Sequence, residues 1–190
     1  MNTHAEPATS APAAQAYSLP MKILHWLTAI IVFILIPVGI ALDKVPEGPL
    51  QDRLFNGHRS MGLLVLILVV IRVIMRRMHG APAPASVLTK FERIASTAVH
   101  HLLYTLLFLT PIVGWAMVSA YGAEITFFGL FTVPPILPQD ENVEKILTKV
   151  HSLLGFGMAV LVIAHAGAGL MHGLIKRDGV LQRMLPWGKA

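Results

Sequence analysis

Residues 151–172 read HSLLGFGMAVLVIAHAGAGLMH. The stretch is apolar enough for hydrocarbon, yet it opens on one histidine, carries a second at His165 and closes on a third. An ionisable ring costs free energy in a bilayer unless something binds it. His151 and His165 are fourteen residues apart. At about 100° per residue they fall some 40° short of four turns, so both rings share one helix face. The rise of about 1.5 Å per residue sets them about 21 Å apart along the axis, one near each leaflet. His172 continues the stripe seven residues further on.

The rest of the chain repeats the pattern. Of 190 residues, 55% are hydrophobic and 13% charged, and the mean hydropathy is +0.66. A soluble domain carries about 25% charged residues. A membrane helix needs about 20 apolar residues, and four segments supply them: 19–42, 52–78, 92–120 and 144–175. Pro37 and Pro111 lie inside two of these, which membrane helices tolerate. No strand-like alternation and no repeat stands out. The fold class expected is an all-α membrane protein, a four-helix transmembrane bundle over residues 18–187. Ser18 before Pro20 marks its start. Residues 1–17, rich in Ala, Pro, Ser and Thr, have no basic start and no apolar core. They read as a disordered tail rather than a signal peptide, with 188–190 as a short second tail.

Charge orients the bundle. The connection between the second and third segments carries, with its flanks, Arg72, Arg76, Arg77, Lys90 and Arg93 against Glu92. The C-terminal tail carries Lys176, Arg177, Arg183 and Lys189 against Asp178. The connection between the third and fourth leans acidic, with Glu124, Asp140, Glu141 and Glu144 against Lys145 and Lys149. The positive-inside rule therefore puts both termini in the cytoplasm. The net charge of +5 needs no nucleic-acid partner. With no Cys, disulfides, thiolate iron–sulfur clusters and covalently attached haem are excluded.

With that topology, His25 on the first helix matches His165 in depth near the inner side. His58 on the second matches His151 near the outer side. Each level then has two imidazoles from different helices, with no Cys or carboxylate beside them. Zinc wants a third or fourth ligand, whereas a flat macrocycle with two axial imidazoles needs no more than these. The expectation is two haems b, stacked across the bilayer. Gly62, Gly155 and Gly169 lie one turn from these histidines, and Gly39 shares the face of His25; they leave room for a porphyrin or for close helix packing. Arg72, the charge within the apolar run of the second helix, either binds a propionate of the inner haem or snorkels to headgroups. His100 and His101 point about 100° apart, so only one of them can line the bundle. His101 is read as interfacial. His172 is either a quinone or proton site or an interfacial ring satisfied by water, and His100 is left equally open.

The motifs ILHWL, GHRSMG, HHLLYTLLFLTPIVGW and HSLLGFGMAVLVIAHAGAGLMH, with the closing RMLP, resemble the bacterial cytochrome b561 family over about residues 18–187. The resemblance implies a four-helix bundle in the bacterial inner membrane with two b haems. It pairs His25 with His165 and His58 with His151, and favours His100 through the spacing to Tyr104 and Pro111. It also implies an oxidoreductase of the superoxide:ubiquinone type, passing single electrons from an outer donor, superoxide or a redox protein, to membrane ubiquinone. Bis-imidazole iron has no open position, so outer-sphere transfer is expected. A second reading is a haem-bearing anchor that links a dehydrogenase or hydrogenase to quinone. A third is a haem-free transporter with a histidine relay.

Overall fold

In a computed structural model, residues 16–80 and 82–187 are described. The expected tail thus lies outside the described residues except for Ala16 and Tyr17, as do 188–190 and His4. Helix α1 spans Leu19–Ala41 and tightens into a 3₁₀ turn, Leu42–Lys44; α2 spans Pro49–His79, α3 Lys90–Tyr121 and α4 Glu141–Leu170, which widens into a π-helical turn, Met171–Lys176.

Local chemistry sets these ends. Thr89 and Glu92 form a capping box at the start of α3: Glu92 N donates to Thr89 Oγ1 at 3.2 Å, and Thr89 N donates to Glu92 Oε2 at 2.9 Å. Asp140 Oδ1 accepts from the Asn142 and Val143 amides and starts α4 three residues before the sequence places it. Gly122 ends α3 in the left-handed region with φ 84°. Ser18 is the N-cap of α1 and makes no side-chain cap bond.

Three of these helices, α1, α3 and α4, are long and apolar enough to cross a membrane. The sequence expectation of four is met at these three. Helix α2 has the length, 31 residues, but carries Asp52, Arg53, Arg59, Arg72, Arg76 and Arg77 around its apolar centre. The apolar side chains of the spans point outward: Leu153, Phe156 and Ile163 of α4 are about 70% exposed. Such a surface is stable against lipid and not against water. The core is small and central. It joins Ile31 and Val32 of α1, Val65 and Leu68 of α2, Leu103 of α3 and Met158 of α4.

Neighbouring helices pack in sequence order, α1 on α2, α2 on α3 and, most extensively, α3 on α4. Helix α4 touches α1 only slightly and α2 still less. One end of the bundle gathers the first and last described segments. There Trp26 Nε1 donates to the Met184 carbonyl at 2.9 Å, Tyr17 N to the Arg183 carbonyl at 3.2 Å, and Arg183 Nη2 to the Ala83 carbonyl at 2.8 Å. Leu181 packs so closely on Gly173 that a Cβ would collide with it.

The other end departs from the sequence reading, which saw no strands. Ile125–Phe127 (β1) and Phe131–Val133 (β2) form an antiparallel hairpin with Thr126 opposite Thr132. The strands are too short to show alternation. The turn uses Phe128 and Gly129, both at positive φ (49° and 75°), in place of the usual Asn-Gly signal. The hairpin is fastened to α2. Ser60 Oγ donates to the Thr126 carbonyl and accepts from Phe128 N, each at 3.1 Å. Ser60 is 2% exposed. Ser60→Ala removes both partners and is expected to cost the hairpin about 1–2 kcal/mol. Hydrogen exchange at the Phe128 amide then accelerates about tenfold or more, while amides in the middle of α3 keep their protection.

Candidate functional site

His25, His58, His151 and His165 meet in two pairs. His25 of α1 and His165 of α4 have ring centroids 6.1 Å apart with planes at 86°. His58 of α2 and His151 of α4 are 6.2 Å apart at 77°. In both pairs α4 faces a helix it otherwise scarcely touches. The rings therefore bridge openings in the bundle instead of filling tight interfaces.

Each ring is held from behind. His151 Nδ1–H donates to the Thr110 carbonyl at 3.1 Å, which leaves Nε2 with a free lone pair. A Cβ on Gly114 of α3 would lie 2.9 Å from His151 Cε1, and one on Gly39 of α1 would lie 3.0 Å from His58 Cε1. Two helix backbones thus press on the two rings of the hairpin-end pair. His58 Nδ1 is buried without a hydrogen-bond partner, which is costly unless the ring is otherwise engaged. Gly62 and Gly155 have open space where a side chain would be. The sequence reading left Gly39 open between porphyrin room and helix packing; in the structure it lies against His58. It missed Gly114, which lies on a neighbouring helix rather than one turn from a histidine.

The tail-end pair is more crowded and more polar. Arg72 is 9% exposed, so it does not snorkel. Its Nη1 donates to His25 Nδ1 at 3.0 Å, and its guanidinium stands 5.5 Å from the Tyr104 ring centroid. A metal held at His25 Nε2 would need the ring proton on Nδ1, so the guanidinium would turn off that nitrogen when the pair is filled. Arg72 Nε and the Tyr104 hydroxyl are buried and unpartnered. His100, exposed on α3, reaches the edge of the group, 5.1 Å from His165 at 84°, and its Nδ1–H donates to the Ser96 carbonyl at 2.6 Å. His101 is exposed and bonds the Thr97 carbonyl, in keeping with an outward ring. His172 is buried: Nδ1–H donates to Asp178 Oδ2 at 2.5 Å, and Nε2 lies 4.0 Å from Glu92 Oε1. The sequence gave no sign of Glu92 as a partner, eighty residues away.

What these pairs can hold follows from their geometry. Among the described residues no group of three or more His, Cys, Asp or Glu converges as a metal-ion site. A metal taken by either pair has two protein ligands, short of what structural zinc requires. Metal–imidazole bonds of about 2 Å on opposite sides of one metal, with the ring radii added, give a centroid separation near 6 Å. Both pairs have that spacing. The open backbone at Gly62 and Gly155 and the orphaned Nδ1 of His58 also fit a flat metal-bearing group with axial imidazoles.

Comparison with known proteins agrees. Residues 16–187 match the family model of prokaryotic cytochrome b561. Cytochrome b561 homolog 2 of Escherichia coli K12 is 31% identical over 181 residues, covering 90% of this chain and 92% of that protein. Cytochrome b561 homolog 1 of the same organism is 27% identical over 164 residues, covering 86% and 93%. A probable superoxide oxidase, CybB, of Yersinia pestis is 28% identical over 171 residues, covering 86% and 92%. Two imidazole pairs at metal-bridging distance, on long lipid-facing helices, are what a haem-binding electron carrier requires, and the chain belongs to the prokaryotic cytochrome b561 family of membrane cytochromes.

Proposed function

We propose that the chain is a di-haem b cytochrome that moves single electrons across the bacterial inner membrane, from a donor at the hairpin end to ubiquinone. The observation that carries this reading is the pair of ring separations, 6.1 and 6.2 Å, each across a gap between poorly packed helices. His25 and His165 would hold one haem, His58 and His151 the other. Bound there, haem iron would supply reversible one-electron oxidation and reduction. All four helices cross the membrane in this reading. Helix α2 does so by turning Arg72 and Ser60 into the bundle. The basic residues Arg76, Arg77, Lys90, Arg93, Lys176 and Arg177 support a cytoplasmic tail end.

The protein's own groups divide the work. Gly39 and Gly114 orient the hairpin-end rings, and the Thr110 carbonyl fixes the His151 tautomer. Arg72 supplies positive charge beside His25, suited to a propionate through its unpartnered Nε. His100 lines the same site. His172 lies beyond it, toward the cytoplasmic end. For the donor, the name of the Yersinia pestis relative supports superoxide. Two superoxide anions each lose an electron and become dioxygen, while ubiquinone gains two electrons and two protons to become the quinol. Arg59, next to His58, is partly buried, has an unpartnered Nε and stands 5.5 Å from the Phe55 ring. It is the cation best placed to attract an anion toward the hairpin-end pair.

Three measurements test this. Pyridine haemochrome analysis should count two haems b per chain. His58→Ala or His151→Ala should each lose one chromophore, and His25→Ala or His165→Ala the other. A colourless protein after ample haem supply, or one keeping both chromophores in all four variants, rejects the reading. Gly114→Ala puts a methyl against His151; it should perturb the spectrum of the hairpin-end haem alone. Superoxide-driven ubiquinone reduction by the purified protein should slow as ionic strength rises, and Arg59→Gln should slow it severalfold with haem content intact. Absence of superoxide-dependent reduction at every salt concentration removes superoxide as the donor.

A further inference from the structure

The connection between α3 and α4 is apolar where a loop in water would be polar. Residues 125–138 read ITFFGLFTVPPILP, with no charged side chain between Glu124 and Asp140. The hairpin β1–β2 turns part of this inward. Ile125 is buried with Leu63 of α2 and Val118 of α3, and Phe127 packs against them. The turn faces out: Phe128 is 50% exposed, Leu130 76% and Phe131 57%. Single exposed apolar residues are ordinary, but a run of them at one tip marks a contact surface.

Depth along the helices says what that surface meets. Gly39 of α1 lies against His58. Asp43 follows Gly39 by four residues, about 6 Å nearer the end of the bundle. Lys149 precedes His151 by two residues, about 3 Å in the same sense. Ser60, which binds the Thr126 carbonyl and Phe128 N, lies two residues from His58 in the opposite sense. The turn therefore stands inboard of the charges on α1 and α4. Its backbone is provided for, as a segment in hydrocarbon requires. The strands pair with each other, Leu130 N donates to the Phe127 carbonyl at 2.9 Å, and Ser60 serves two more groups. Further on, Trp115 Nε1 donates to the Pro134 carbonyl at 3.0 Å and Ile136 N to Ser119 Oγ at 3.1 Å. Pro134, Pro135 and Pro138 have no N–H to satisfy. Water would satisfy such groups without help.

We propose that the hairpin tip, residues 128–131, is seated in the lipid of the outer leaflet and holds the hairpin end of the bundle at a fixed depth. The inference rests on the reading that the four helices cross the membrane, and it adds a lipid contact made by a connection instead of a helix. The tip has the same character as the outward face of α4 at Leu153, Phe156 and Ile163. A water-soluble partner could not reach a surface inboard of Asp43 and Lys149 without entering the bilayer, and a protein interface carries a polar rim that this tip lacks. The seat also bears on the site. Arg59 Nη1 donates to the Glu124 carbonyl at 3.4 Å, and Ser60 holds the turn itself, so the lipid anchor steadies the stretch of α2 that carries His58.

The test uses the full chain in nanodiscs of phosphatidylcholine and phosphatidylglycerol. The chain has no Cys, so single cysteines report without background. Leu130→Cys and Phe131→Cys probe the tip. Ile163→Cys, replacing an α4 side chain 71% exposed, marks lipid. Lys145→Cys, replacing a side chain 62% exposed near the start of α4, marks water. A water-soluble maleimide needs the thiolate, so it should modify Lys145→Cys about tenfold or more faster than the two tip cysteines, which should react as slowly as Ile163→Cys. Separately, a diazirine amino acid in place of Leu130 should, on illumination, give an adduct with the mass of a phospholipid. Tip cysteines as reactive as Lys145→Cys overturn the inference; if Ile163→Cys stays slow, the spanning helices stand and the seat alone fails. If Ile163→Cys is equally fast, both fail. Crosslinking of the tip to a second copy or to another protein, with no lipid adduct, also overturns it.

Discussion

A buried imidazole nitrogen is costly unless something engages it, and that constraint organises this molecule. His25, His58, His151 and His165 stand in pairs, each across an opening between α4 and a helix it hardly touches. A bundle selected for packing alone would close those openings, because helix association in lipid depends on close contact between small residues. Here the small residues are used otherwise. Gly39 and Gly114 let backbones press on histidine rings, and the tight helix contacts run along α1–α2–α3–α4 without closing the circle.

An open bundle needs ties at its ends, and the loops provide them. At one end the hairpin is pinned to α2 through Ser60, two residues from His58. At the other, the segment after α4 is tied to α1 through Trp26 and to the α2–α3 connection through Arg183. Trp26 follows His25 directly. Both ties therefore land beside a histidine of a pair, so the connections that close the fold also fix the depth and rotation of the site.

Periodicity made much of this legible. The fourteen-residue interval on α4 and the direction of successive helices placed His25 with His165 and His58 with His151, and the rings do meet in those pairs. Contacts between distant segments were not legible, because no local pattern encodes them. Gly114 is one of many glycines until α4 lays His151 against it. Glu92 reads as an N-terminal helix charge, which it also is, until a π-turn eighty residues later presents His172. The hairpin escaped notice because three-residue strands carry no alternation, and because Phe128 holds its positive φ with the help of Ser60 rather than by being Asn or Gly. Arg72 was open between two readings that differ only in which way a long side chain bends; its burial decides for the interior.

The two levels are not equivalent, and the difference gives the molecule a direction. At the hairpin end, His151 gives its N–H to a carbonyl. Such a bond makes a ligating imidazole more electron-rich and favours the oxidised metal. At the tail end, the guanidinium of Arg72 lies 3.0 Å from His25. A buried cation favours the state with one more electron, and does so strongly where the dielectric is low. Were haem held at both levels, these two residues would lower the potential at the hairpin end and raise it at the tail end.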